Sequence, residues 1–220
     1  MQIKQIYEAF DSIGCLTFAT VDENHCPQTR IAHLRGYDDK GIYFMTMYTK
    51  QFYRQLKENG YVSICGMSAS ANVVHDENGK PTFNDGYTIR LTGKVREVPM
   101  QEIIDKNNPI FNFCIADQQK YNAMVVFCIE SGAGEIYDYD FTARIRENKL
   151  DRTYFAYNGA SPAPRGLKIN QDKCIKCGIC QQNCSFKAIS CDNNGFTIDP
   201  SRCDECGDCV INCPVNAVLQ

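Results

Sequence analysis

No stretch of the 220-residue chain holds about eighteen apolar residues in a row, so no segment reads as a transmembrane helix. Basic residues are not in excess. Lys and Arg number 23 against 26 Asp and Glu, a formal charge of −3, which gives no sign of a nucleic-acid surface. Histidine is scarce, with three. No His-x3-His or Glu-x2-His spacing occurs, so no mononuclear metal centre is indicated. No G-x-G-x-x-G opens a helix after a strand, which leaves no Rossmann site for NAD. Tryptophan is missing altogether. The N-terminal MQIKQIYEAFDSIG is amphipathic and lacks the apolar core of a signal peptide. The chain is therefore expected to be cytoplasmic, with no membrane or nucleic-acid partner. In that compartment disulfides are disfavoured, and clustered cysteines point to metal or redox chemistry.

Cysteine is what the chain has in quantity, 14 in all. Five are scattered over residues 1–166 and nine fall in 167–220. Between the two regions lies NGASPAPRG, rich in Gly, Pro, Ala and Ser, which reads as a linker. The expected division is a first domain over 1–157, the linker over 158–166 and a second domain over 167–220.

The first domain opens with Ile3, Ile6, Tyr7 and Phe10 at helical spacing. Strand-like runs follow: CLTFATV, QTRIAHLRGY, GIYFMTM, YVSICGM and YTIRLTGKVREV. The turns DENHCP and DDKG separate the first three. A second helix, KQFYRQLKEN, is expected to be capped by Thr49 and ended by Gly60. A helical stretch near 99–107 precedes AMVVFCIESGAGEIYDYDF, a strand or hairpin. Short strands, tight turns and few helices predict an α+β fold built on an antiparallel barrel. Within it IYFMTMY reads as core with alternating faces, and Cys15, Cys65 and Cys128 as inert core residues. Cys26 lies in a turn. The YDYDF run is assigned no chemistry.

The second domain carries CIKCGICQQNC at 174–184 and CDECGDCVINCP at 203–214. A [4Fe–4S] cluster needs four thiolates around a compact cube. A Cys-x2-Cys-x2-Cys loop supplies three, and in a two-cluster module the last cysteine of each run serves the other cluster. That rule assigns Cys174, Cys177, Cys180 and Cys213 to one cluster and Cys203, Cys206, Cys209 and Cys184 to the other. At an offset of 29 the runs also share Gly178 with Gly207, Asn183 with Asn212 and Ala188 with Ala217. Zinc is the plainer alternative, but structural zinc favours two Cys-x2-Cys pairs and four ligands. Cys191 lies outside the repeat and is expected to be a packed side chain. Residues 167–220 resemble the bacterial two-[4Fe–4S] ferredoxin family. Pro214 follows the last cysteine as that pattern expects; Ser185 stands where a proline is common.

In TRIAHLRGYDDKGIYFMTMYTKQFYRQLKEN, residues 29–59, Arg30 and Arg35 lie on a strand and Thr49 and Lys50 at a helix start. A helix N-terminus with a hydroxyl and a cation beside it can hold a phosphate. The arginines can complete such a site, or the charges can be a solvated surface. Arg30 and Arg35 have opposite parity, so either a bulge intervenes or one of them makes only structural contacts. For His33, a proton donor and a partly buried structural histidine both stay open.

The same stretch resembles the FMN-binding split barrel of the pyridoxamine 5′-phosphate oxidase superfamily, over about residues 3–140. The resemblance implies an FMN barrel, normally a homodimer with flavin at the subunit interface. Carried over by position, Arg30, Ile31, Ala32, His33 and Leu34 line the flavin. Arg35 takes the place of a phosphate-binding lysine. Met45 and Thr46 flank the ring or ribityl chain, and Thr49, Lys50 and Gln51 meet the phosphate. The oxidases carry Arg-Lys at this helix start, where this chain has Lys50 and Gln51. They also close with a segment containing Trp and Arg-Leu-x-Pro, which this chain lacks, so vitamin B6 oxidation is not the expected activity. FMN with two [4Fe–4S] clusters makes a converter between one-electron carriers and a two-electron substrate. The leading reading is an oxidoreductase acting on a small molecule. The alternatives are an electron-transfer module docking to a partner enzyme, or a redox sensor. No catalytic residue is named.

Overall fold

The computed structural model describes residues 1–68, 74–75, 77–79, 81–82, 86–139, 150–162 and 166–219. Residues 140–141 of the YDYDF run and 163–165 of the linker lie outside these. The chain forms two compact units, one of residues 1–68, 88–135 and 155–162, the other of 69–87, 136–154 and 163–220. The described residues of segments 69–87 and 136–154 group with the C-terminal residues.

In the first unit, helix α1 (Ile3–Asp11) sets Ile6 and Phe10 four apart on one face, and both are fully buried. Five strands and one helix follow: β1 (Leu16–Val21), β2 (Pro27–Ala32), β3 (Leu34–Asp38), β4 (Gly41–Met47), α2 (Gln51–Asn59) and β5 (Tyr61–Met67). Two-residue strands β6 (Val74–His75) and β7 (Pro81–Thr82), which belong to the second unit, pair with each other. Then come β8 (Tyr87–Val98), α3 (Met100–Asp105), a 3-10 turn (Pro109–Phe111), α4 (Asn112–Lys120), β9 (Met124–Tyr139) and β10 (Leu150–Tyr157). The main sheet runs β2-β1-β5-β8-β9-β4-β3, with β10 beside β9. The pairings of β1 with β2 and β5, β3 with β4, β4 with β9 and β5 with β8 are all antiparallel. The expected α+β fold with an antiparallel barrel is what forms.

QTRIAHLRGY is two strands, not one. His33 interrupts it, and the β3–β4 register shifts between Leu34 and Gly36. The two strands therefore end at opposite ends of the sheet path. Strand β4 is buried on both faces from Gly41 to Thr46. Phe44 stacks on Phe127 (5.7 Å) and Phe52 (5.8 Å), while Tyr43 and Met45 join a second cluster with Phe111, Cys114 and Cys128. Gly134 is demanded by close backbone approach, since a Cβ there would lie 2.0 Å from the Arg90 carbonyl oxygen.

Helix α2 ends at Gly60 in the left-handed region (φ 68°), as expected. Its N-cap is Lys50, not Thr49, and no side chain caps it. Helix α4 carries no start signal in the sequence, because it follows the 3-10 turn directly and has no side-chain cap. Cys128 and Cys114 are fully buried, and burial pushes their thiols up to about 12 and about 11. Cys15 and Cys65, expected in the core, are exposed. Val62 and Ile64 take the inward positions of β5, which turns Cys65 outward.

The C-terminal residues add β11 (Lys168–Ile169), α5 (Ile179–Gln182), β12 (Ile189–Asp192), β13 (Gly195–Ile198), α6 (Asp208–Ile211) and β14 (Val218–Leu219). Leu167, Ile189, Phe196 and Val218 pack with Cys180 and Cys209 into a small core. Cys191, on β12, is exposed and not packed as expected. Among the described residues no helix is long and apolar enough to cross a membrane.

Candidate metal and cofactor sites

The two cysteine runs fold as a repeat. The residue just before the second cysteine is left-handed in both, Lys176 at φ 56° and Glu205 at φ 55°. Gly178 (φ 79°) and Gly207 (φ 87°) then start the one-turn helices α5 and α6. The Asn183 amide donates to the Ile179 carbonyl and that of Asn212 to the Asp208 carbonyl, each at 2.8 Å. The backbone N–H of Ala188 donates to Cys184 Sγ (3.3 Å) and that of Ala217 to Cys213 Sγ (3.2 Å). The glycine and asparagine matches at offset 29 thus have a structural reason, and the alanines take equivalent buried positions.

Strand pairing crosses the runs. Cys184 leads into β12, which pairs with β13 just before Cys203. Cys213 leads into β14, which pairs with β11 just before Cys174. The result is two cavities, one lined by Cys174, Cys177, Cys180 and Cys213, the other by Cys184, Cys203, Cys206 and Cys209. Apolar side chains supply much of the remaining lining, among them Ile169 and Phe196 in the first and Leu167 and Phe186 in the second. Burial pushes the Cys209 thiol up to about 11 and raises Cys180 and Cys206. At Cys213 burial acts in the same direction, but backbone N–H groups of residues 215–218 outweigh it and the net shift is downward. Four thiolates around such a cavity require a cationic group among them, so the donor set fits an iron–sulfur cluster. Among the described residues, no three His, Cys, Asp or Glu side chains form a set able to hold a single metal ion.

The second group of expected residues lies in the barrel. Arg30 reaches from β2 to Thr20 Oγ1 (2.6 Å) and Gln55 Oε1 (2.8 Å), with its guanidinium 4.4 Å from the Phe52 ring centre. Thr20 and Gln55 are buried, and burial lowers the Arg30 pKa. Arg35 faces elsewhere, 4.0 Å from Asp117 and stacked on Phe113. The two arginines therefore serve different neighbours. Ile31 is 64% exposed, whereas Leu34, Met45 and Thr46 are buried. Ala32 is half-buried. His33 is exposed, with Nδ1 3.0 Å from the Gly14 carbonyl. Thr49, Lys50 and Gln51 are exposed at the start of α2, whose first turn carries no acid. A cationic, uncapped helix start is a donor set that fits a phosphate.

The sequence profile described as pyridoxamine 5′-phosphate oxidase matches residues 3–128, more than half of the chain. The chain belongs to that family. In this oxidase-family chain a second profile, a 4Fe-4S dicluster domain, matches residues 162–217. Among solved structures, a NimC/NimA family protein from Clostridium acetobutylicum shares 19% identity over 70% of this chain and 91% of its own, with a TM-score of 0.46. The heme storage protein HutZ from Vibrio cholerae shares 18% over 59% of this chain and 90% of its own, with a TM-score of 0.42. None of the curated proteins matches. A barrel of a flavin-binding family joined to an iron–sulfur domain is a redox or electron-transfer arrangement.

Sequence reading of this oxidase-family chain missed Thr20 and Gln55, which fix Arg30, because nothing local marks contacts across 10 and 25 positions. It also missed Arg152. That side chain is buried, donates to the Cys203 carbonyl at 3.1 Å and lies over Tyr137.

Proposed function

We propose that this oxidase-family chain is a flavin and iron–sulfur oxidoreductase that moves electrons between two [4Fe–4S] clusters and FMN and reduces or oxidises a small molecule. When bound, the clusters exchange single electrons and the flavin one or two. Cys174, Cys177, Cys180 and Cys213 would hold one cluster, and Cys184, Cys203, Cys206 and Cys209 the other. Arg30, Ile31, Ala32, His33 and Leu34 would line the flavin. Met45 and Thr46 would flank it, and Arg35, Thr49, Lys50 and Gln51 would meet its phosphate. The family match supports a homodimer with FMN at the interface, since proteins with this barrel commonly form dimers. The cytoplasm is the compartment that suits eight thiols left free for iron.

One observation carries the reading: eight cysteines from two runs line two cavities in crossed quartets. The test is anaerobic purification with iron, sulfide and flavin analysis, followed by reductive titration. About eight irons and about one FMN per chain are expected, with electrons exchanged between flavin and clusters. Zinc without flavin overturns the reading. Turnover that starts only when a partner protein is added would make the chain a carrier instead.

A further inference from the structure

The repeat is its own control, two loops of equal backbone with different charges. Positive φ recurs at Lys176 and Glu205, at Gly178 and Gly207, and at Lys187 and Asn216. Residues at offset 29 therefore occupy equivalent places. At three of them the first run has Ile175, Lys176 and Ile179, and the second has Asp204, Glu205 and Asp208. The flanking Lys173 and Arg202 match in sign.

Asp204 and Asp208 line the cavity of Cys184, Cys203, Cys206 and Cys209. The described residues lining the other cavity include no charged side chain, and Ile175 stands where Asp204 would be. The acids are held in place. Asp208 accepts from Ser185 Oγ (3.4 Å) and lies 3.7 Å from Cys206 Sγ, and Glu205 accepts from the Gly166 N–H (2.8 Å). Two cations oppose them. Arg152 reaches the Cys203 loop at its carbonyl, and Lys187 follows Cys184 in an exposed turn. Neither cation belongs to a residue that lines the cavity, whereas Asp204 and Asp208 do line it and the Asp208 carboxylate stands 3.7 Å from Cys206 Sγ.

We propose that the two cluster sites are inequivalent, the site of Cys184, Cys203, Cys206 and Cys209 having the lower reduction potential. Of the two cluster sites, that of Cys174, Cys177, Cys180 and Cys213 is then the first to be reduced. This inference rests on the iron–sulfur reading above. An added electron makes a site more negative, so nearby carboxylates oppose it and Lys176 favours it. Because Glu205 and Lys176 are exposed, part of the difference is screened by salt.

The test uses the full chain, purified anaerobically and assayed for iron and sulfide, then titrated with dithionite under EPR at low and high ionic strength. Two separate one-electron waves are expected, closer together at high salt. Lys176→Glu lowers the upper wave alone. The combined change Asp204→Ile, Glu205→Lys and Asp208→Ile raises the lower wave alone. Should that triple variant fail to fold, the exposed Lys176→Glu decides by itself. Coincident waves in the unaltered chain, or a Lys176→Glu shift of the lower wave, overturns the inference while the cluster reading stands. A chain without iron overturns both, and the iron assay tells the two failures apart.

Discussion

Cys184 and Cys213 are each close in sequence to one cysteine triplet and line the cavity of the other. Two strand pairs, β12 with β13 and β14 with β11, hold that exchange. Substitution separates the crossed assignment from the uncrossed one. Cys184→Ser is expected to remove about half the iron and the same EPR signal as Cys209→Ser, while Cys213→Ser removes the other signal, as Cys180→Ser does. Loss of one signal by both Cys184→Ser and Cys180→Ser would contradict the crossing. The ligand types and their spacing were legible in the residues, because three thiols at three-residue steps wrap one cube. Arg30 was legible only as a cation. Its engagement with Thr20, Gln55 and Phe52 depends on β1 and α2 packing against each other.

Among the elements, β8 and β9 are sheet neighbours, and Gly93, Gly132 and Gly134 stand where a Cβ would meet atoms of the facing strand. A Gly134→Ala chain would have to move the Arg90 carbonyl, and a stability loss of about 1–3 kcal/mol is expected, read as a lower Tm of the barrel transition. An unchanged Tm would mean that the backbones stand farther apart. Helix α3 is tied to its surroundings by charge. Glu102 accepts two hydrogen bonds from Arg96, each at 3.2 Å, and lies within 4.0 Å of Lys40 and Lys106. The Arg96 hydrogen bond is the main cause that holds its carboxyl below the ordinary value of 4.5, with the nearby cations adding to it. A depressed folded pKa stabilises above the unfolded value and loses that stability as pH falls through the folded one. Glu102→Gln is therefore expected to flatten the decline of Tm below about pH 4.5, and an identical acid profile would refute the tie. Strands with clean alternation, such as β8, were legible to the residue, whereas the break at His33 was not. A strand pattern carries no mark of where its pairing partner changes.

For the whole molecule, the two compact units have separate cores, the barrel around Phe44 and Phe127 and the C-terminal unit around Leu167, Ile189, Phe196 and Val218. The second core is small, so ligation is expected to contribute much of that unit's folding free energy. Iron removal by a chelator under reducing, mildly acidic conditions should abolish the C-terminal transition in calorimetry and leave the barrel transition near its original temperature. A single transition that shifts as one would count against independent units. The sequence by itself determined the barrel class, the two cysteine quartets and the charge difference between the two runs, because each rests on residue type at fixed local spacing. Only the tertiary structure decided that residues 136–139 and 150–154 belong with the C-terminal unit, that Arg152 reaches the Cys203 loop, and that Arg30 and Arg35 turn to different neighbours. Those outcomes depend on which distant strands pair and how side chains fill the space between them, and no local spacing encodes that.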